Sequence, residues 1–160
     1  MKKFVLLAMM AALIAGCSTK INTSQQIDSS VRQNIELKDV SAAYGGGVTG
    51  PAEVAPRLEQ EVRMAAPKGK TGENPVSLKV TITNYELVNA GVRALAGAFG
   101  GDNKLSVDVE VLNASDEVIG KYSVQRESNP GGYGIFYSQA GALITETAKG
   151  IVAGLYGSAN

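Results

Sequence analysis

The 160-residue sequence contains no histidine, no tryptophan and a single cysteine. Without histidine there is no Ser-His or Cys-His nucleophilic pair and no His-ligated zinc site. One cysteine closes no disulfide within the chain, so stability has to come from an apolar core, which a chain of this length supplies without staples. A surplus of charge is missing too. The 15 Lys and Arg residues balance 15 Asp and Glu residues, and no basic field is present to attract nucleic acid. At 44% apolar and 19% charged residues, the composition is that of one ordinary globular domain.

The N-terminus has what the rest of the chain lacks, a long apolar run. Lys2 and Lys3 precede unbroken apolar residues from Phe4 to Ala15, and small residues lead to Cys17. That is the order of n-region, h-region and cleavage site in a secretory signal. The run is too short to stay across a bilayer, which takes roughly 20 apolar residues. The segment Leu13-Ile14-Ala15-Gly16-Cys17 resembles the lipobox of bacterial lipoproteins. That resemblance implies removal of residues 1–16 and a covalent diacylglycerol and N-acyl chain (palmitate) on Cys17, with no other cofactor expected. Ser18 rather than Asp after the cysteine implies, in a Gram-negative host, the periplasmic face of the outer membrane. Loss of Lys2 and Lys3 takes the 15 basic residues to 13 against 15 acidic ones, a formal charge of −2.

Residues 17–30 are polar apart from Ile21 and Ile27 and read as a lipidated N-terminus and flexible tether. A single domain is expected over 31–158. Val31 to Val40 partly alternates and predicts a first strand. The glycine-rich stretch Tyr44 to Gly50 and Pro51 lead into a helix with Val54, Leu58, Val62 and Ala65 on one face and Pro56 in its opening turn. Val76, Leu78, Val80 and Ile82 alternate with polar residues, as do Leu105, Val107, Val109 and Val111. A turn at Asn113-Ala114-Ser115-Asp116 joins the latter to Val118–Val124 as an antiparallel hairpin. Phe136 to Tyr156 predicts a long amphipathic helix, with Glu146 and Lys149 arguing against a membrane span at roughly 2.5 to 3.5 kcal/mol each. Together these predict an α+β two-layer sandwich: a mostly antiparallel sheet of about four strands, order β-α-β-β-β-α, packed by two helices.

Few residues are left to carry chemistry. Glu53, Glu59 and Glu61 read as a solvated helix face, and Asp108 and Glu110 as the wet side of a strand, where unpaired carboxylates normally sit. The stretch Asn89 to Asp102 is small, weakly apolar and glycine-containing, and within it neither a GxGxxG nor a GxxxxGK[ST] phosphate loop occurs. Arg93 and Phe99 there, and Tyr133 and Phe136 beside the second glycine cluster Pro130–Gly134, are candidate partner contacts. The alternative is that both stretches fold back on their own domain.

The pattern Leu78 to Tyr85, then Arg93-Ala94-Leu95-Ala96-Gly97, then the hairpin Leu105 to Val124, then Gly131 and a closing helix resembles a family of small bacterial lipoproteins of unknown function with an Arg-x-Leu-x-Gly segment between sheet strands. The resemblance covers roughly residues 50–156 and implies a non-enzymatic envelope domain with no transferable catalytic residue. The expectation is a membrane-anchored interaction or envelope-assembly module whose partner is an envelope protein or peptidoglycan, and not nucleic acid. The rival is a periplasmic module that binds a small ligand or lipid between the sheet and the long helix near the glycine loop. A hydrolase, the third reading, needs two carboxylates converging in a cleft.

Overall fold

The computed structural model describes residues 17–69, 71–88, 101–128 and 139–157. Among them the alternating segments form five strands, β1 (Cys17–Gln25), β2 (Ile35–Tyr44), β3 (Asn74–Glu86), β4 (Asn103–Leu112) and β5 (Val118–Ser128). Three helices, α1 (Ser29–Gln33), α2 (Val54–Ala65) and α3 (Gln139–Tyr156), complete the α+β domain. The sheet order is β1-β5-β4-β3-β2, with β2 and β3 parallel and the other pairs antiparallel. The expected sheet of about four mostly antiparallel strands with two helices is therefore corrected to a mixed sheet of five strands with three helices. The parallel pair follows from α2, because parallel neighbours need a crossover and a helix supplies it.

Residues 17–30, expected as a tether, belong to the fold. β1 pairs with β5 from Cys17↔Ser128 to Gln25↔Lys121, and Ile27 is buried over Gly120, whose Cβ position its side chain fills. Asp28 then caps α1, accepting the Ser30 N–H at 2.8 Å. The predicted strand Val31–Val40 is thus split, with α1 taking its first residues and β2 starting at Ile35. A bulge between Leu37 and Asp39 shifts the inward phase from Ile35 to Val40, which is why the sequence alternates only in part. The hairpin turn forms as predicted: Asn113 Oδ1 accepts the N–H groups of Ser115 (2.9 Å) and Glu117 (3.0 Å), and Asp116 takes φ 60°.

One face of the sheet carries the core. Leu78, Val80, Ile82, Leu105, Val107 and Val109 are at most 1% exposed, and α2 and α3 cover them with Leu58, Val62, Leu143, Ile144, Ile151 and Leu155. Each such side chain contributes about 1.5 to 3 kcal/mol on burial. α3 approaches β5 through glycines. A Cβ on Gly150 would lie 2.7 Å from Val124 Cγ1 and 3.0 Å from Thr19 Cγ2, and one on Gly154 would lie 2.7 Å from Tyr122 Cδ2. At that distance the Tyr122 hydroxyl donates to the Ile151 carbonyl at 2.7 Å.

The outer edge of β2 is occupied by the helices. Glu59 Oε1 accepts the Ala42 N–H at 2.7 Å, so this carboxylate does not belong to a freely solvated face as the sequence suggested. Arg63 donates to the Val40 carbonyl at 2.8 Å and to Asp39 at 2.7 Å; the latter bond holds the Asp39 carboxyl below its ordinary range. The Leu37 amide donates to the Tyr156 hydroxyl.

Gly154→Ala is expected to cost about 1 to 3 kcal/mol by overpacking against Tyr122, read as a lower urea midpoint with unchanged slope. Burial pushes the Tyr122 phenol far above its usual 10.0, so its contribution is intact below pH 10 and is lost as pH rises beyond it, where only the unfolded chain's phenol ionises. Urea titrations from pH 8 to 11 should show falling stability, with a shallower fall in Tyr122→Phe.

Candidate functional site

Register fixes which residues share an end of the sheet. Cys17 pairs with Ser128, Ser128 with Asn103, and Lys104 with Glu86, so β1 starts where β5 and β3 end and β4 begins. Asn103 breaks the apolar inward series of β4 and is fully buried, at 0% exposure. Such a group needs partners to offset its desolvation. Its Nδ2 donates to Gln139 Oε1 at 2.9 Å, and its Oδ1 accepts the Val88 N–H at 2.9 Å. One amide thereby ties the end of β3 to the start of α3. Nearby, Arg126 donates from Nη1 to Thr19 Oγ1 at 2.7 Å, while its Nε is buried without a hydrogen-bond partner among the described residues. Leu87, just past β3, is 41% exposed.

The opposite face of the sheet is polar and is not covered by any of the described helices. Thr81, Asp108, Ser123 and Asn22 line up across four strands, beside the ranks Lys79, Glu110 and Lys121. A shallow cavity of about 530 Å³ lies over Asn22, Thr81, Asp108, Glu110, Lys121 and Ser123. Lys121 hydrogen-bonds Glu110 at 2.7 Å, and Lys79 stands 3.9 Å away. The Lys121 bond, reinforced by both positive charges, holds the Glu110 carboxyl below its ordinary range despite some burial, which keeps it ionised and unsuited to general-acid work. No group of three or more Cys, Asp or Glu side chains among the described residues is arranged to hold a metal ion.

The run Gly45-Gly46-Gly47-Val48-Thr49-Gly50 does follow a strand and precede a helix in a parallel βαβ unit, the setting of a nucleotide fingerprint. Two of its amides, those of Gly45 and Val48, are engaged within the fold. Gly45 N–H bonds the Ile82 carbonyl, Val48 N–H the Gly45 carbonyl, and Val54 N–H the Pro51 carbonyl. The Tyr44 ring fills the space over Gly50 and its hydroxyl donates to the Pro51 carbonyl at 3.0 Å. Glu53 adds negative charge at the helix start, so the run forms a pinned turn and not a phosphate cradle.

Of the residues singled out in the sequence, Cys17 is the first residue of β1. Leu13, Ile14, Ala15 and Gly16 of the lipobox, and Arg93, Phe99, Tyr133 and Phe136, lie outside the described residues. Asn103, Glu59 and Arg126 were not legible as site residues. Asn103 alone left a signal, an amide in an inward strand position.

Asn103→Leu is expected to cost about 1 to 3 kcal/mol, because the Val88 and Gln139 groups lose a buried partner. Hydrogen exchange should show the Val88 amide losing protection first.

Comparison with solved structures places the same fold in PelC of Paraburkholderia phytofirmans, crystallised as a dodecamer. It superposes with a TM-score of 0.55 at 12% identity over 89% of this chain and 99% of that one. A single-residue variant of the PelC dodecamer in a second crystal form gives 0.54 and 12%, over 87% and 98%. No curated protein matches the chain. The family model for a domain of unknown function matches residues 51–132, from the approach to α2 to just beyond β5. That span is just over half of the 160 residues, and the chain belongs to the DUF4410 family.

Proposed function

We propose that the protein is a lipoprotein of the bacterial envelope, acylated on Cys17, which acts without catalysis as an interaction or assembly module on the periplasmic face of the outer membrane. The observation that carries this reading is the order of the N-terminal residues: two lysines, the unbroken apolar run Phe4–Ala15, and small residues leading to Cys17. The leader ends at Gly16 by its sequence pattern, and the residues that follow it pair with β5 from Cys17↔Ser128 onward. The absence of histidine and the ion-paired state of Glu110 support a binding role over a hydrolytic one. The likeness to PelC, whose crystals hold a dodecamer, supports assembly of many anchored copies as the working form, with an envelope protein or peptidoglycan as further partner.

The rival reading, a ligand carried between sheet and long helix near the glycine loop, is narrowed by packing along β5. Along β5 that interval is closed at Gly150 and Gly154, where not even one extra carbon fits. An enclosed pocket for a lipid needs roughly 300 Å³ or more.

Two measurements test the proposal. Intact mass of protein extracted from membranes should equal residues 17–160 plus diacylglycerol and one acyl chain, and globomycin should block the processing. Cys17→Ala should leave an uncleaved precursor that incorporates no labelled palmitate. A bare or unprocessed N-terminus in the unmodified protein would overturn the reading.

A further inference from the structure

The two ends of the sheet differ in chemistry. At the end away from Cys17 the chain passes through residues 26–34, 66–73 and 113–117, which bring Asp28, Lys68, Glu73, Asp116 and Glu117. At the Cys17 end it leaves β2 and returns at α2, leaves β3 and returns at β4, and leaves β5 and returns at α3. By sequence, the connections at this end, 45–53, 87–102 and 129–138, carry three charged residues, Glu53, Arg93 and Asp102, against seven in the shorter connections at the far end. Leu95, Phe99, Tyr133, Ile135, Phe136 and Tyr137 make the latter two of the three the most apolar connections after the leader. The described part of this end points the same way, since Leu87 is one of only two large apolar side chains exposed among the described residues, the other being Met64 on α2.

Chain length then fixes orientation. No slack separates Cys17 from the fold: Thr19, two residues on, is packed against α3 at Gly150 and bonded to Arg126. Two residues span at most about 7 Å, too little for a domain to turn over on its anchor.

We infer that the end of the sheet carrying Cys17, Leu87 and Ser128 is seated on the lipid bilayer, with the strands directed away from it and the hairpin turn at 113–117 farthest out. This deepens the lipid-anchor reading above and rests on it. Among the described charges near this end, Glu86, Lys104 and Glu127 stay on the wet face, with Lys104 and Glu127 3.9 Å apart, and together with Asp102 just before β4 they lie at headgroup level. The acyl chains on Cys17 supply the anchoring itself, so the apolar contact at this end sets the orientation of the domain.

The lack of tryptophan makes the test direct. Residues 17–160 are coupled through the Cys17 thiol to a maleimide lipid in phosphatidylcholine vesicles brominated in the acyl chains, which quench a nearby indole. Single tryptophans are placed near the seated end (Leu87→Trp, and Glu86→Trp as a second reporter) and at the far turn (Ser115→Trp), each variant checked for fold by circular dichroism. β4 alone carries the turn about 34 Å outward at 3.4 Å per residue, so quenching at position 87 or 86 should exceed that at 115 at least about threefold. Equal quenching at both ends, or stronger quenching at 115, overturns the inference. Because coupling is chemical, this result is separable from acylation in cells. Acylated protein with equal quenching sinks the orientation alone, whereas a bare N-terminus in cells with unequal quenching sinks the anchor reading and leaves the orientation as a property of the fold.

Discussion

The close seating of α3 on β5 is the constraint on which the domain depends. Gly150 and Gly154 lie one turn apart on the helix face that meets Val124 and Tyr122, and only residues without a side chain let the backbones approach that far. The approach brings the Ile151 carbonyl within reach of the Tyr122 hydroxyl, buried at 4% exposure, and it brings Thr19 of β1 against the same helix. One glycine seam therefore joins three elements distant in sequence. With no disulfide available, cohesion of the N-terminal strand with the C-terminal helix relies on this packing and on the β1–β5 ladder.

A second set of contacts adds direction. Asn103 couples the exit of β3 to the entry of α3 through two 2.9 Å hydrogen bonds, and both α2 and α3 start from the end of the sheet where β1 starts. At the opposite end the Asn113 turn closes the β4–β5 hairpin with three bonds to its own side chain. The domain is thereby polarised along its strands, with the Asn113 turn closing one end and the Asn103 amide tying β3 to α3 at the other.

The elements legible in the sequence were those with one dry and one wet face. In β3, β4 and β5 inward residues are buried almost without exception, so alternation survives into the sequence, and α2 and α3 show the 3.6-residue period for the same reason. β1 gave no signal because it is an edge strand in which only Ile21 has a partly buried apolar side chain against the core. α1, with five residues, is too short for periodicity. The parallel pairing of β2 with β3 was readable in principle from the strand-helix-strand order, but the bulge at Lys38 blurred β2 itself. Of the candidate site, Cys17 stood out through its position behind an apolar run. Asn103 and Glu59 did not, because a polar residue acquires its role only from partners 36 and 17 residues away.

The occupied edge of β2 limits how copies of this domain can associate. Open sheets grow into fibres when each strand edge is a template for the next chain, and head-to-tail growth requires two such edges on every subunit. Here Glu59, Arg63 and Tyr156 already hold the outward amides and carbonyl of Ala42, Val40 and Leu37. Strand addition at β1 would then terminate after a single pair, and any closed ring of many subunits must be built from side-chain surfaces, where shape and charge, not backbone ladders, set the number of members.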